Sequence, residues 1–334
     1  MIIVPISSLK KSDILLAGGK GASLGELVQA GARVPPGYVV TSIAYKNFLE
    51  YNGIDKLVAR LERRDGDPYA LAARIRSAIL EGEMPGDLSR ELDKVSNEFM
   101  RDFLAVRSSA TYEDSPEFSF AGIHETYLGV RGADVESYVR RVWASNFEDR
   151  AVAYKLDNKI PPSKVLMAVV VQRLVNPKAA GVAFTLDPRN GDRSVVVVES
   201  SWGLGESVVA GEVNPDRYVV SKITEEVLKR EISNGKNTMY VLEGGKVVHK
   251  EVPPELAAAS SLEDGEVVEV ARQAVMLEKY FGHPVDVEWA IERDVYILQS
   301  RPETVWSRRK TSGEWHSTGD LLKDIAYNLL SFKL

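Results

Sequence analysis

The sequence of 334 residues predicts a mixed α+β or α/β protein, and three observations support that fold class. Apolar residues recur at helical spacing through most of the first hundred residues. From Phe103 onward, runs rich in β-branched residues and bounded by Gly, Pro, Asn or Asp predict strands. Helical patterns near 135–144 and 266–280 interrupt those strands, which argues against a pure β sandwich.

The expected elements, in chain order, are mainly helices first and mainly strands afterwards. The predicted helices cover residues 22–28, 54–63, 68–80, 87–100, 135–144 and 266–280, and another follows Thr41 or Ser42, either of which can cap it. The start, MIIVPISSLKKSD, predicts a short apolar strand followed by polar residues. The further predicted strands cover residues 38–40, 103–109, 125–130, 165–175, 181–187, 194–200, 217–221, 285–291 and 295–300. This order divides the chain into a helix-rich part at 1–100, a strand-rich part at 101–302 and a tail at 303–334.

The tail differs in composition from the rest. Its first part, SRRKTSGEW, is basic, polar and turn-rich, which predicts a linker. An apolar helical stripe follows, formed by Leu321, Leu322, Ile325, Ala326, Leu329 and Leu330. Two interpretations stay open: a helix that packs on its own domain, or a docking helix for a partner.

Composition excludes several classes of function. A formal net charge of −6 gives no electrostatic reason to expect nucleic-acid binding. The sequence has 0 cysteines, which rules out disulfides, thiolate zinc sites and cysteine nucleophiles. There is no apolar run of about 18 residues for a membrane span, and the start does not have the pattern of a signal peptide. We therefore expect a cytoplasmic protein that binds neither nucleic acid nor membrane.

Two early segments carry candidate phosphate ligands. In GGKGASLGEL, small residues precede a helix start, where free N–H groups and the positive helix end favour a phosphate, and Lys20 adds a full charge. In VRSSAT, Arg107 ends an apolar strand, and its guanidinium suits phosphate oxygens. The alternatives are an ordinary glycine turn for the first segment and a structural salt bridge for Arg107.

A third segment, ESSWGLGESVVAGEVNPDRYVV, follows a strand and contains Gly203 and Gly205. Its backbone amides are candidates to lie over phosphates. A single GxG is also common in ordinary turns, so this pattern is weak on its own.

The last segment, PVDVEWAIERDVYILQSRP, predicts a β-hairpin. If Arg293-Asp294 forms a two-residue loop, Glu288 lies opposite Gln299 and Asp286 lies opposite Arg301. A carboxylate beside an amide oxygen is a donor set for Mg²⁺, which usually shares its shell with nucleotide phosphates.

A three-residue loop would instead place Glu288 opposite Leu298 or Ser300 and remove the argument for this pair. Even with the favourable register, a solvent-exposed polar strand face is the commoner explanation of such a pattern.

Taken together, these segments resemble the N-terminal nucleotide-binding domain of phosphoenolpyruvate synthase, from about Gly18 to Pro302. Pyruvate phosphate dikinase and rifampin phosphotransferase share that domain, which is of the ATP-grasp type. The resemblance rests on GGKGASLGEL, VRSSAT, FAGIHETYLGV, WGLGESVVAGEVNPD and LQSRP, in this order. It implies two lobes with a nucleotide cleft between them, the helix-rich part at 1–100 forming one lobe and the strand-rich part at 101–302 the other.

The resemblance also implies roles for individual residues, with ATP and Mg²⁺ as the ligands. The implied catalytic residues are Lys20, Arg107 and Arg301. The implied nucleotide contacts are Lys20 and Arg107 at the phosphates, Gly122 and Thr126 against the nucleotide, Gln172 near the adenine and Arg301 beside the metal. The implied Mg²⁺ ligands are Glu288 and Gln299.

In the family, the β-phosphoryl group of ATP passes to a histidine on a swivelling carrier domain and from there to pyruvate in a barrel domain. The sequence has no histidine in the family's TSHA-like context, so we expect the carrier and the pyruvate-binding domain to be separate domains or subunits. Two alternatives stay open. One is a rifampin-phosphotransferase-like enzyme with another acceptor, and the other is a non-catalytic module that senses nucleotide.

Overall fold

The computed structural model describes residues 1–111, 125–304 and 306. Gly122 and the apolar stripe at 321–330 lie outside the described residues. Among the described residues, no helix is both long enough and apolar enough to cross a membrane.

Helices dominate the first half of the chain. The α-helices are α1 (Ile14–Gln29), α2 (Ser42–Tyr51), α3 (Asp55–Glu62), α4 (Pro68–Glu81), α5 (Gly86–Glu98), α6 (Val135–Ser145), α7 (Asp149–Asp157), α8 (Glu206–Val209), α9 (Pro254–Ala257) and α10 (Asp264–Phe281). The capping residue expected for α2 is Thr41, whose hydroxyl accepts from Ala44 N at 3.4 Å.

Strands dominate the second half. They are β1 (Ile3–Pro5), β2 (Gly37–Val40), β3 (Phe103–Ala110), β4 (Thr126–Arg131), β5 (Met167–Arg173), β6 (Ala179–Phe184), β7 (Val195–Trp202), β8 (Asp216–Ser221), β9 (Val227–Glu231), β10 (Thr238–Glu243), β11 (Lys246–Glu251), β12 (Val285–Ile291) and β13 (Val295–Pro302). They form three sheets, a five-stranded one in the order β1-β2-β5-β3-β4, a six-stranded one in the order β13-β12-β6-β7-β8-β9, and the two-stranded pair β10-β11.

The five-stranded sheet packs against the early helices. The ring of Phe48 on α2 lies 4.9 Å from that of Trp143 on α6, and both side chains have 0% exposure. Burial of such large aromatic side chains is the main stabilising contribution of a core. Most apolar side chains of α2, α4 and α5 are buried in this core, although Ile43 and Leu80 are exposed.

The six-stranded sheet packs against α10 and α1. Trp289 of β12, Leu277 of α10 and Leu27 of α1 are all buried in this second core. Helix α10 begins at a capping box between Glu263 and Glu266 and ends at Gly282, which has a left-handed conformation. Those signals define where the helix begins and ends.

Strand β5 belongs to both cores. Met167, Val169 and Val171 face the first core, whereas Ala168 and Val170 face the second. Successive residues of a strand point to opposite faces, so a strand buried on both sides is a nearly continuous apolar run.

The mixed α+β fold class is confirmed. The boundary expected at residue 100 stays a prediction, and the five-stranded sheet takes strands from both sides of it. Three strands had no counterpart in the prediction, namely β9, β10 and β11. Strand β9 carries Lys229, Arg230 and Glu231 at the sheet edge, and such charges conceal a strand pattern while they protect the edge.

Candidate functional site

A cleft of about 390 Å³ lies between the two large sheets. The five-stranded sheet contributes Ala105, Arg107, Thr126, Leu128 and Gln172 to its lining. The six-stranded sheet contributes Ala180, Gly181, Glu288, Trp289, Ala290 and Leu298, and the loop around α8 contributes Leu204, Gly205, Glu206, Val209 and Ala210. The volume is in the range of roughly 300–1,000 Å³ found for small-molecule and cofactor sites. Mainly apolar walls with a few charged groups make it the candidate binding site.

The glycine-rich segment forms a kink within α1. Gly18 has φ 70° and ψ 174°, which interrupts the helix, and a second helical stretch begins after it. Ser109 of β3 fixes the kink because its hydroxyl accepts from Gly21 N at 3.0 Å and donates to Ala17 O at 2.7 Å. A Cβ at Gly18 would lie 2.0 Å from Ser109 O, so only glycine fits there. Lys20 therefore lies in the first turn after the kink.

Cationic and amide side chains from distant parts of the chain meet in a crevice of about 30 Å³. Lys20 and Arg107 line one part of it, and Gln299 and Arg301 line the other. Arg107 and Leu298 line both this crevice and the larger cleft, so the two spaces adjoin. The structure thus brings together four of the side chains that the sequence singled out, and their roles stay predictions.

The hairpin β12–β13 pairs Glu288 with Gln299 and Asp286 with Arg301. Of the two loop lengths left open by the sequence, the three-residue one is observed, because Ile291 pairs with Val295 and leaves residues 292–294 as the loop. An irregularity next to Glu288 corrects the register, since Gln299 pairs with Glu288 while Ile297 pairs with Trp289. Leu298 is the extra residue of a β-bulge, a device that often re-aims side chains beside binding sites.

The bulge has a physical reason in the residue pattern of β13. Val295 and Ile297 pack in the second core, so Gln299 and Arg301, at the same parity, would point into that core in a regular strand. The bulge moves the two polar side chains to the cleft face. The sequence signal that could have revealed the bulge is the change from apolar to polar residues at alternate positions, from Val295 and Ile297 to Gln299 and Arg301.

Gln299 and Arg301 also contact each other. With its amide oriented by its hydrogen-bond partners, Gln299 Oε1 accepts from Arg301 Nε at 2.5 Å and from Arg301 Nη2 at 2.9 Å. The contact fixes the direction of the Gln299 side chain.

Asp286 lies next to this pair and was not assigned a role from the sequence. Burial, and to a lesser extent the nearby Glu303, raise the pKa of its carboxyl group to about 6, although Arg301 opposes the shift. Asp286 and Glu288 line an adjoining chamber of about 290 Å³ together with Glu199. The chamber extends the cleft on the side of the charged groups.

Glu206, at the start of α8, is a second cleft residue that sequence reasoning missed. Its side chain is exposed to the cleft, yet the protein atoms around it raise the pKa of its carboxyl group. Arg107 lowers that pKa and Glu288 raises it, so the three groups share one electrostatic environment. From the sequence, only the backbone amides of this segment are candidates for phosphate binding. Nothing in WGLGESVV distinguishes Glu206 from an ordinary glutamate at a helix start.

Thr126 and Gln172 line the cleft on the five-stranded sheet. Gln172 is 3% exposed, and its Nε2 donates to Pro35 O at 2.9 Å. Thr126 begins β4 and is exposed. Gly122, expected beside Thr126, lies outside the described residues.

The donor set fits a magnesium ion that is shared with phosphates. In the part of the chain that the structure describes, no group of three or more His, Cys, Asp or Glu side chains could hold a metal by itself. Mg²⁺ at nucleotide sites commonly takes only one or two protein carboxylates and completes its shell with phosphate oxygens and water. Glu288 and Gln299 face each other on the cleft side and meet that requirement.

The fold and the cleft define a mixed α+β nucleotide-binding module. The sequence matches the family described as pyruvate phosphate dikinase, AMP/ATP-binding domain, over residues 14–318, and the chain belongs to that family.

Relatives include a probable phosphoenolpyruvate synthase of Methanothermobacter thermautotrophicus, 43% identical over 330 residues that cover 95% of this chain and 48% of that protein. The phosphoenolpyruvate synthase of Deinococcus radiodurans is 42% identical over 328 residues, covering 92% of this chain and 42% of that protein. A probable phosphoenolpyruvate synthase of Staphylothermus marinus is also 42% identical, with the same two coverages of 92% and 42%. The chain thus spans less than half the length of these relatives.

Proposed function

We propose that the chain binds ATP with Mg²⁺ in the cleft and passes the β-phosphoryl group to a histidine of a separate carrier domain or subunit, as part of a phosphoenolpyruvate synthase-like system. In that transfer the bond between the α- and β-phosphates breaks to release AMP, and water takes the γ-phosphoryl group as orthophosphate. The observation that carries this proposal is the meeting of Lys20 and Arg107 with Gln299 and Arg301 in one crevice that adjoins the cleft. Arg107 belongs to the five-stranded sheet, Gln299 and Arg301 belong to the six-stranded sheet, and Lys20 belongs to α1, so a triphosphate there would contact both walls.

The chemistry of the side chains suits phosphoryl transfer. Arg107 offers planar, multi-donor recognition of phosphate oxygens, and Lys20 adds a point charge from the helix start after Gly18. Glu288 and Gln299 would hold Mg²⁺, which when bound offsets charge on the phosphates. Arg301 orients Gln299 and adds a further cation. Positioning and charge stabilisation are the main tasks of a protein in this reaction class.

The shape of the cleft supports the placement of the nucleotide. Its apolar part, around Ala105, Leu128 and Ala180, suits a base, and Gln172 lies there as a polar group. The charged groups lie at the other part, where Arg107 and Leu298 join the cleft to the crevice. A nucleotide would therefore lie with its base toward Gln172 and its phosphates toward Lys20.

The acceptor is proposed from the relatives. Proteins named phosphoenolpyruvate synthase are about twice as long as the matched region, so a carrier histidine and a pyruvate-binding domain have room outside it. The partners of this chain are accordingly a phosphohistidine carrier and a pyruvate-binding unit. A location in the cytoplasm stays a prediction.

The decisive experiment incubates the chain with ATP labelled at the β-phosphorus, Mg²⁺ and the unmatched C-terminal portion of the Deinococcus radiodurans relative. We expect acid-labile phosphohistidine on that portion with the wild-type chain, and none with the Arg107→Met variant. A parallel thermal-denaturation series with ATP, Mg²⁺ and both together measures binding. Absence of any nucleotide-dependent shift would refute the nucleotide site, whereas binding without transfer would favour the sensing alternative.

A further inference from the structure

The hairpin formed by β10 and β11 touches the wall of the cleft that includes α8. Leu204 N donates to Tyr240 O at 2.8 Å, and the Tyr240 hydroxyl donates to both carboxylate oxygens of Glu212 at 3.2 and 3.0 Å. Gly203 has φ +74°, and a Cβ there would lie 2.3 Å from Tyr240 O. The hairpin backbone therefore supports the loop that carries Leu204 and Gly205 into the cleft.

The tip of the same hairpin touches the opposite wall. Gly245 packs against Phe103 of β3, where an added Cβ would lie 2.2 Å from a ring carbon. A Cβ at Gly129 of β4 would lie 2.2 Å from Gly245 O. Strands β3 and β4 carry Arg107 and Thr126, which line the cleft. One hairpin thus contacts both walls, and glycines permit the approach at each contact.

The base of the hairpin is anchored in the second core. Lys236, just before β10, donates to Asp216 of β8, and both side chains have 0% exposure. Asp216 also accepts from Ser233 N at 2.8 Å and from Ser261 N at 2.8 Å. The side chains of β10 and β11 themselves are half-buried or exposed. The hairpin has no core of its own, so the contacts at its base and at the two walls set its position.

We propose that the β10–β11 hairpin is a positioning element that holds the two walls of the nucleotide cleft at their binding distance, with Gly129, Gly203 and Gly245 as positioning residues. This inference rests on the proposed nucleotide function. The side chains expected at the phosphates come from both walls, so their spacing decides how well they engage one ligand. A cleft that samples wider spacings binds with an affinity lowered in proportion to the competent fraction.

Neighbouring glycines of the hairpin turn give a matched pair of variants. Gly244 and Gly245 have φ +55° and +85°, so alanine is strained at both. Within the part of the chain that the structure describes, nothing lies within 4 Å of a Cβ at Gly244, whereas a Cβ at Gly245 meets Phe103. Gly245→Ala should therefore displace the tip from β3, and Gly244→Ala should not.

The test is calorimetric titration of the full chain and both variants with Mg·ATP. For Gly245→Ala we expect Kd to rise about tenfold, and for Gly244→Ala less than about twofold, since the competent fraction falls only in the first. Phe103→Ala is a further variant, which removes the ring from above Gly245 and should weaken binding in the same way without backbone strain. Equal Kd values for the two alanine variants, or tighter binding by Gly245→Ala, would overturn the proposal.

Hydrogen–deuterium exchange of the nucleotide-free proteins separates this proposal from the proposed function. Gly245→Ala should raise amide exchange in β4 and at residues 204–210, on both walls, while Gly244→Ala leaves them as in the wild type. If the wild-type chain did not bind Mg·ATP, the proposed function would fail, and the exchange pattern alone would then test whether the hairpin positions the two walls. Unchanged exchange on either wall in Gly245→Ala would count against the positioning role.

Discussion

Glu288 lies directly opposite Gln299 across the hairpin β12–β13, and the bulge at Leu298 is what places them there. Without the bulge, the three-residue loop at 292–294 would set Glu288 opposite Leu298. Because Leu298 is present, the carboxylate–amide pair depends on this residue being bulged out of the ladder, and so does the proposed metal site.

Replacement of Glu288 by alanine should remove the magnesium-dependent part of the stabilisation by ATP. At a ligand concentration of about 100 times Kd, a bound ligand stabilises by about 2.7 kcal/mol, and we expect the increment added by Mg²⁺ to vanish in the variant. Thermal denaturation with ATP, with and without Mg²⁺, measures it. Asp294→Ala, at the tip of the same hairpin and paired with Arg33, is the control. An undiminished Mg²⁺ increment in Glu288→Ala would mean that this carboxylate is not a ligand.

Deletion of Leu298 should leave Glu288 opposite Gln299, since Ile297 would then precede Gln299 as in a regular strand. We expect Mg²⁺ dependence to survive, while affinity for ATP falls because an apolar side chain worth roughly 1.5–3 kcal/mol when fully buried is lost from the cleft. Leu298→Ala, which removes the side chain but retains the bulge, should show a similar loss. Isothermal titration of both variants with ATP, with and without Mg²⁺, measures the affinity for ATP and its dependence on Mg²⁺. If ATP binding by the deletion variant did not depend on Mg²⁺, the register assignment would be contradicted.

Gly18→Ala should destabilise the fold by about 3 kcal/mol or more, because a left-handed conformation and a steric overlap act together. The added Cβ would lie 2.0 Å from Ser109 O. Gly53→Ala is a suitable control, with φ +65° and no described residue within 4 Å of the added Cβ. Urea unfolding of the three proteins gives the comparison. Equal losses for the two variants would show that backbone strain alone accounts for the effect at Gly18.

The stability of the protein should rise with pH above neutrality because of Lys155. This side chain is 1% exposed, donates to Asn146 Oδ1 at 2.7 Å, and burial lowers its pKa to about 7. Between pH 7 and the ordinary lysine value of 10.5, the unfolded chain holds a proton that the folded protein has released. The free energy of unfolding therefore increases as pH rises through this window, by at most about 1.4 kcal/mol per unit for one group.

Urea unfolding at several pH values between 7 and 9 tests this for the wild type and Lys155→Met. The variant lacks the titrating group, so its pH dependence should be flatter than that of the wild type. Identical slopes for the two proteins would show that Lys155 keeps its proton on folding.

Local patterns predicted much of the architecture. Helices α3, α4, α5 and α10 follow from apolar periodicity, and their observed ends differ from the expected ones by one or two residues. The segments with Lys20, Arg107 and Glu288 were identified because glycines, an arginine after an apolar strand and alternating carboxylates are visible in short stretches of sequence.

Features that depend on distant parts of the chain were not predicted. The loop length of β12–β13 stayed open between two and three residues, because parity in β13 is set by packing of Val295 and Ile297 in the second core. The cleft position of Glu206 depends on a loop supported by the hairpin. The burial of Lys155 depends on its contacts with Asn146 and Phe147, between α6 and α7, which a lysine in an amphipathic pattern does not reveal.

Strand β5 separates the two cores and is buried on both faces, because Val169 packs in the first core and Val170 packs in the second. Because β5 contributes side chains to both cores, separating one core from the other by proteolysis or separate expression would expose an apolar surface on at least one of the two parts. The two cores should therefore melt in a single cooperative transition, and calorimetry should register one heat-absorption peak.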